Sequence, residues 1–216
     1  MKNLLLLLMV FAATAATAQN FEGAITWSVS YTAADTTLKT TGMNPVFPKG
    51  FTMQFGKNCY LLSTDGGILS VQMLWLSDKQ QYYQINQTNK TYTLLPPDST
   101  ARKLPEQYRP VVTKTSETTT LLGYSCTKYI IRFRSDSSFN QIYWATTTIN
   151  IPSLKSLPGQ SGQALYYEGM EGLPLKMELS SPQMRLVTAV TMIKKTALPD
   201  SLFVLPAGYK PEKSIR

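Results

Sequence analysis

From Phe21 to Thr32 the chain alternates, with Phe21, Gly23, Ile25, Trp27, Val29 and Tyr31 on one side and Glu22, Ala24, Thr26, Ser28, Ser30 and Thr32 on the other. A period of two with one wet face predicts a half-buried strand. The same rhythm returns along the chain. Phe51–Phe55 and Cys59–Ser63 predict a hairpin about Gly56-Lys57-Asn58, and Asp65-Gly66-Gly67 a turn into the next strand. Ile68–Leu76 is the most apolar segment, with Leu69, Val71, Met73 and Trp75 on one face. Strands are also predicted over Gln80–Asn86, Thr91–Leu95, Thr113–Leu122, Ser125–Arg134, Gln141–Thr147 and Leu173–Leu179. Met184–Lys194 is apolar on both faces, with Leu186, Val190 and Met192 opposite Val187, Ala189 and Ile193, the mark of a central or covered strand.

Between these segments lie stretches of turn chemistry. Ala33–Gly50, the loop from Pro96-Pro97 to Pro110, and residues 148–163 are rich in Pro, Gly, Asp or Asn and predict excursions with at most short helical turns. No segment shows an amphipathic helix of useful length. Eight to eleven antiparallel strands at this spacing predict a mainly β domain: a barrel, a half-barrel or a sandwich.

The first residues differ in kind. Lys2, the apolar run Leu4–Ala13 and the small-residue site Ala16-Thr17-Ala18 read as a secretory signal, cleaved after Ala18. Residues 19–216 then form a single domain, exported to the periplasm or beyond. No cysteine stands near the cut, so lipid anchoring through a lipobox is not expected, and no transmembrane segment is expected once the signal is removed. The net charge of +8 is scattered, with no basic stripe interleaved with aromatics, which argues against nucleic acid.

Candidate chemistry is sparse. The chain has no histidine, which excludes His-based nucleophile activation and His-containing zinc sets. Glu168 and Glu171 are the best local carboxylate pair, yet in a Gly-rich loop they read as solvated charges. No catalytic residue, metal site or cofactor is expected. Cys59 and Cys126 are the only cysteines; either they form a disulfide or they pack as two free thiols. What remains is apolar surface. Trp27, Val71, Met73, Trp75, Trp144, Met177, Met184 and Met192 fall on faces predicted to point inward, either as ordinary core or as the lining of an apolar pocket.

Three segments carry a resemblance: Leu122-Gly123-Tyr124-Ser125-Cys126, Gly172-Leu173-Pro174-Leu175-Lys176 and the closing Phe203-Val204-Leu205-Pro206-Ala207-Gly208-Tyr209. With the opening Phe21-Glu22-Gly23-Ala24-Ile25-Thr26-Trp27, they resemble a bacterial family of secreted proteins of unknown function, placed beside the LolA/LolB-like lipoprotein-localisation factors. The resemblance implies a strongly curved antiparallel sheet forming an incomplete, LolA-like half-barrel with few short helices. It also implies a non-enzymatic function, binding a lipid, a lipoprotein acyl chain or another apolar ligand. The alternative is a cell-envelope structural or protein-interaction module without a small ligand. In the residues themselves the closing segment reads as a tie-down, with Phe203 in the core and Pro206-Ala207-Gly208 turning the chain outward.

Overall fold

The computed structural model describes residues 20–33, 48–66, 71–95, 109–134, 136–152, 165–182 and 184–212. The expected export signal and most of the three excursions lie outside them. The strands are β1 (Gly23–Ala33), β2 (Gly50–Phe55), β3 (Cys59–Asp65), β4 (Gln72–Leu76), β5 (Gln81–Asn86) and β6 (Thr91–Leu95). They continue with β7 (Pro110–Leu121), β8 (Tyr124–Phe133), β9 (Asp136–Thr146), β10 (Leu173–Ser180), β11 (Met184–Lys195) and the two-residue β12 (Lys210–Pro211). Each predicted strand is present. The apolar segment starting at Ile68 is described as a strand from Gln72 only.

All twelve strands form one sheet in the order β12-β6-β5-β4-β3-β2-β1-β11-β10-β9-β8-β7. Every pairing is antiparallel except the short parallel contact of β12 with β6. The outermost strands, β7 and β12, do not pair with each other, so the sheet is open rather than closed. It is also not strongly curled. The coarse expectation of a single, mostly antiparallel sheet therefore holds, without the tight curvature attached to it.

Two antiparallel meanders, β1–β6 and β7–β11, meet where β1 pairs with β11, from Gly23 opposite Lys195 to Ala33 opposite Met184. One irregularity interrupts that ladder. Thr26 pairs with Met192 but Trp27 pairs with Val190, leaving Thr191 as an extra residue. A bulge of this kind inverts which side chains point to which face. It explains why β11 reads as apolar on both faces: Val190 and Ile193, opposite Trp27 and Ile25, lie on the same side of the sheet.

Both faces of the β2–β5 meander are buried. On one face Ile25, Trp27, Met53, Phe55, Tyr60 and Trp75 belong to the largest apolar cluster, which continues to Leu173, Leu175 and Cys126. On the other face Leu61, Leu74 and Ile85 are covered by the C-terminal segment, whose Phe203 is 6% exposed and is flanked by Leu198, Leu202, Leu205 and Tyr209. A 3-10 turn, Asp200–Phe203, sets that ring down. The backbone N–H of Tyr209 then donates to the Pro206 carbonyl at 3.3 Å, with Gly208 at φ 82°. That turn brings the chain back to the sheet rather than out of it. The N–H groups of Lys210 and Glu212 donate to the carbonyls of Lys90 and Tyr92 at 3.1 and 2.8 Å, capping the β6 edge.

Glycine is required at Gly172. Its φ is 81°, and a Cβ there would stand 2.1 Å from the Thr146 carbonyl oxygen. This close approach lets β10 start beside the end of β9.

Two substitutions test these supports. Phe203→Ala should destabilise by about 3–4 kcal/mol, the range for emptying a buried aromatic site, read as a lowered urea midpoint. Gly172→Ala should cost at least about 1–3 kcal/mol from the left-handed backbone alone, whereas an Ala at exposed Gly123, which meets no atom within 4 Å, should cost less.

Candidate functional site

The apolar face centred on β1–β5 is held by cross-strand aromatics. Trp27 stacks on Phe51 with ring centroids 4.9 Å apart and planes at 14°. Phe55 contacts Phe21 edge-on at 6.0 Å and Tyr60 at 6.4 Å. Tyr60 is 6.4 Å from Tyr82, which meets Trp75 edge-on at 6.2 Å. These pairs follow from register: Trp27 lies opposite Phe51, Phe55 opposite Tyr60, Tyr60 opposite Trp75 and Trp75 opposite Tyr82. Large rings placed directly across a pleat are the unit of sheet stabilisation. The Trp27 indole also reaches past β11, donating to the Pro174 carbonyl of β10 at 3.4 Å.

Around this sealed centre is a softer rim. Phe51, Leu62, Met73, Leu95, Tyr124, Trp144, Met177 and Ile193 are partly buried and packed against the cluster. Five of the eight expected lining residues therefore gather here: Trp27 and Trp75 in the centre, Met73, Trp144 and Met177 on the rim.

The other three lie elsewhere. Met192 is 49% exposed, because the Thr191 bulge turns it to the side of its partner Thr26. Val71 precedes β4 and lines a separate polar groove of about 450 Å³ with Ser63, Thr64, Gln72, Gln84, Asn86 and Gln87. That groove is uncharged and internally bonded. Gln72 donates to Ser63 at 3.3 Å, and Gln87 to Gln72 at 2.9 Å. Met184 is half-buried opposite Ala33 at the start of β11, apart from the apolar clusters of the described residues.

Trp144 has a second character. Its register partners are Lys128 and Lys176, and the Lys128 ammonium lies 5.8 Å from its ring centre. It therefore shares a face with an ionic group. Lys176 pairs with Glu178 at 2.7 Å, and Arg185 reaches the same carboxylate. The Lys176 hydrogen bond holds the Glu178 carboxyl below the usual range, with Arg185 adding to it. Tyr129, Ile131 and Tyr143, which alternate with Lys128 and Trp144 along β8 and β9, form a smaller cluster with Tyr167 and Met170, and Met177, the register partner of Tyr143, packs against it as well.

Cys59 and Cys126 are free thiols, so the bridge considered from sequence is not formed. Cys59 packs under the C-terminal segment with Leu76, whereas Cys126 belongs to the aromatic face. Burial pushes both thiols up, which disfavours the reactive thiolate. Glu168 and Glu171 are both exposed. Glu171 accepts a hydrogen bond from Lys114 at 2.7 Å, and that bond, with the ammonium charge, holds its carboxyl below the usual carboxylate range and keeps it ionised. Among the described residues no group of His, Cys, Asp or Glu could hold a metal ion. No described helix is long and apolar enough to cross a membrane.

The residues that sequence reasoning passed over are Tyr60 and Tyr82. The hairpin about Gly56-Lys57-Asn58 held the signal, since its register sets Tyr60 opposite Phe55. Burial pushes the Tyr60 phenol far up, with the Tyr82 phenol acting in the same direction, so Tyr60 is a neutral hydroxyl. Burial raises Tyr82 as well.

A family described as Domain of unknown function (DUF4412) matches residues 57–209. No curated protein matches the chain. Among solved structures, PNGF-II in a C2 crystal form is similar, with a TM-score of 0.50 and 18% identity over 88% of this chain and 31% of that one. PNGF-II in a P21 form gives 0.47 and 19% over the same shares. LprF from Mycobacterium bovis gives 0.31 and 6% over 87% of this chain and 94% of that one. The chain thus spans about a third of the length of PNGF-II, and at this identity the likeness to PNGF-II concerns the fold alone.

The ion group gives a pH-dependent expectation. The folded Glu178 carboxyl titrates below its unfolded value, so its contribution is present above the ordinary carboxylate range and fades as pH falls through the folded value. Glu178→Gln should therefore cost at most about 1 kcal/mol at neutral pH. In chemical denaturation the gap from the parent should close below about pH 4.

Proposed function

This chain belongs to the DUF4412 family, and from that premise we propose that it is an exported, non-enzymatic protein that binds a lipid, an acyl chain or another apolar ligand on its aromatic sheet face. The rim is the observation that carries this reading. Phe51, Leu62, Met73, Leu95 and Met177 remain partly open around a centre in which Ile25, Met53, Phe55 and Tyr60 are 0% exposed. A rigid apolar floor with deformable, accessible edges suits a flexible hydrocarbon ligand. Methionine, unbranched and polarisable, adapts to chains of varied shape. The LolA-like half-barrel supplies the analogy for such a ligand, and an open sheet offers a shallower version of that receptacle. Export rests on the signal-like residues 1–18.

A second reading, a protein-interaction module of the envelope, is favoured by β7. This strand of twelve residues lies at one end of the sheet order and, among the described residues, pairs only with β8. Its other edge carries backbone groups that an added strand could use. The break in register between Lys114 and Thr118 and the nearby charges temper that tendency.

Native mass spectrometry after gentle purification should show an adduct that organic extraction removes. A fluorescent acyl probe should then rebind the stripped protein, with Met73→Ala and Met177→Ala each weakening it about fivefold to tenfold, the scale of one lost apolar contact. Met192→Ala should leave it unchanged. A clean unliganded mass with no probe binding overturns the reading. One dominant crosslinked envelope protein, unaffected by the Met73 and Met177 changes, would then support the second.

A further inference from the structure

Among the described residues, Tyr60 Oη, Trp75 Nε1, Thr91 Oγ1 and Gln141 Nε2 are buried without a hydrogen-bond partner. The first two are neighbours. Tyr60 and Trp75 lie directly opposite each other across β3 and β4, on the aromatic face, 0% and 4% exposed. Next along the same row, Tyr82 lies opposite Trp75 and donates its hydroxyl to Met73 Sδ at 2.7 Å. A thioether is a weak acceptor. Three polar hydrogens thus sit on one patch of β3–β5: the Tyr82 hydroxyl is given to a sulfur, the Tyr60 hydroxyl has the Tyr82 hydroxyl beside it without a full hydrogen bond, and the Trp75 N–H has no acceptor.

Such a patch has a cost that ordinary core packing avoids. An unpaired buried donor loses its water and gains nothing, whereas phenylalanine at either position would fill similar space without that loss. An indole N–H only donates, and the neutral Tyr60 hydroxyl, which has the Tyr82 hydroxyl beside it without a full hydrogen bond, can donate to a better placed acceptor. The missing partner is therefore an acceptor. Register also limits its charge. On this face β2 to β6 present Phe51, Met53 and Phe55, then Tyr60, Leu62 and Thr64, then Met73 and Trp75, with no Lys, Arg, Asp or Glu among them or among Tyr82, Gln84, Asn86, Thr91, Thr93 and Leu95. A carboxylate placed here would lie without a counter-charge, which is strongly unfavourable.

The geometry points to a ligand that carries a neutral carbonyl: the Tyr60 hydroxyl and the Trp75 indole N–H hold the oxygen of an ester, amide or ketone, while its hydrocarbon lies over Leu62, Met73 and Leu95. This rests on the apolar-ligand function proposed above and narrows it from any hydrocarbon to an uncharged acyl compound. A free fatty acid in its ionised form is disfavoured. An ordered water held by the same two donors is the competing occupant.

The test uses the stripped mature chain and the neutral probe N-phenyl-1-naphthylamine, displaced by nonane, 2-nonanone or nonanoate at pH 8. We expect 2-nonanone to bind about tenfold tighter than nonane, the value of one or two added hydrogen bonds, and nonanoate no tighter than nonane. Tyr60→Phe and Trp75→Phe should each bring 2-nonanone close to nonane, with nonane itself changed less than about twofold. The free Tyr60→Phe protein should melt no lower than the parent, since it loses an unpaired donor. Equal binding of nonane and 2-nonanone by the parent, or equal loss of both in the variants, would overturn the carbonyl anchor and leave water as the occupant. In that outcome the apolar-ligand function stands. Failure of the parent to bind the probe and all three compounds would overturn the function itself.

Discussion

The pairing of β1 with β11 is the contact on which the whole sheet depends. Each meander is local: β1 to β6 and β7 to β11 are mostly strands placed beside their sequence neighbours. Among the described strands, the backbone pairing that joins them is the ladder from Gly23–Lys195 to Ala33–Met184. It brings together residues more than 150 positions apart, so the chain loses much loop entropy before this contact yields anything. The return is the continuity of the aromatic face. Trp27 lies opposite Phe51 on one side and Val190 on the other, and its indole reaches Pro174 beyond.

Burying both faces of a single sheet is the second demand, because no described helix is long enough to cover one. The aromatic face is sealed at its centre by rings set directly across from one another. The reverse face of β3–β5 is sealed by the chain's own tail, with Phe203 over Leu61, Leu74 and Ile85. Apolar material is thus committed first to structure, and ligand chemistry is left to the rim and to the polar atoms that packing has not satisfied. This division separates the roles of neighbours. Met53 and Phe55 hold the floor, whereas Met73 and Met177 remain adjustable, and Tyr60 and Trp75 carry a hydrogen-bonding demand the fold leaves open.

Much of this was legible in the sequence, because period-two alternation bounded by Gly, Pro and Asn reports strands directly. Thr91–Leu95 and Leu173–Ser180 fall where alternation sets them, and Phe203 is buried as its flanking turn residues suggest. Alternation failed at Met192, where one extra residue, Thr191, inverted the faces. At Trp144 it did not show the lysines beside the ring, which the neighbouring strands β8 and β10 supply. Pairing across strands is information that one strand's pattern does not hold. Tyr60 and Tyr82 were passed over for a related reason: a tyrosine in an alternating strand looks like ordinary half-buried surface until register shows what lies opposite it. The path of the tail was half visible. Pro206, Ala207 and Gly208 announced a turn, but not that it would lead back to Lys90 and Tyr92.

The same β1–β11 ladder has a consequence for the order in which the molecule is built. A chain that emerges N-terminus first releases β1 more than 150 residues before it releases β11. Until Met184–Lys195 is free, one edge of β1 has no partner, and the reverse face of β3–β5 lacks its cover until Phe203 follows. The early meander therefore cannot settle into its final form as it appears. The central ladder therefore forms after Met184–Lys195 has been made, and the cover over β3–β5 after Phe203 has followed it.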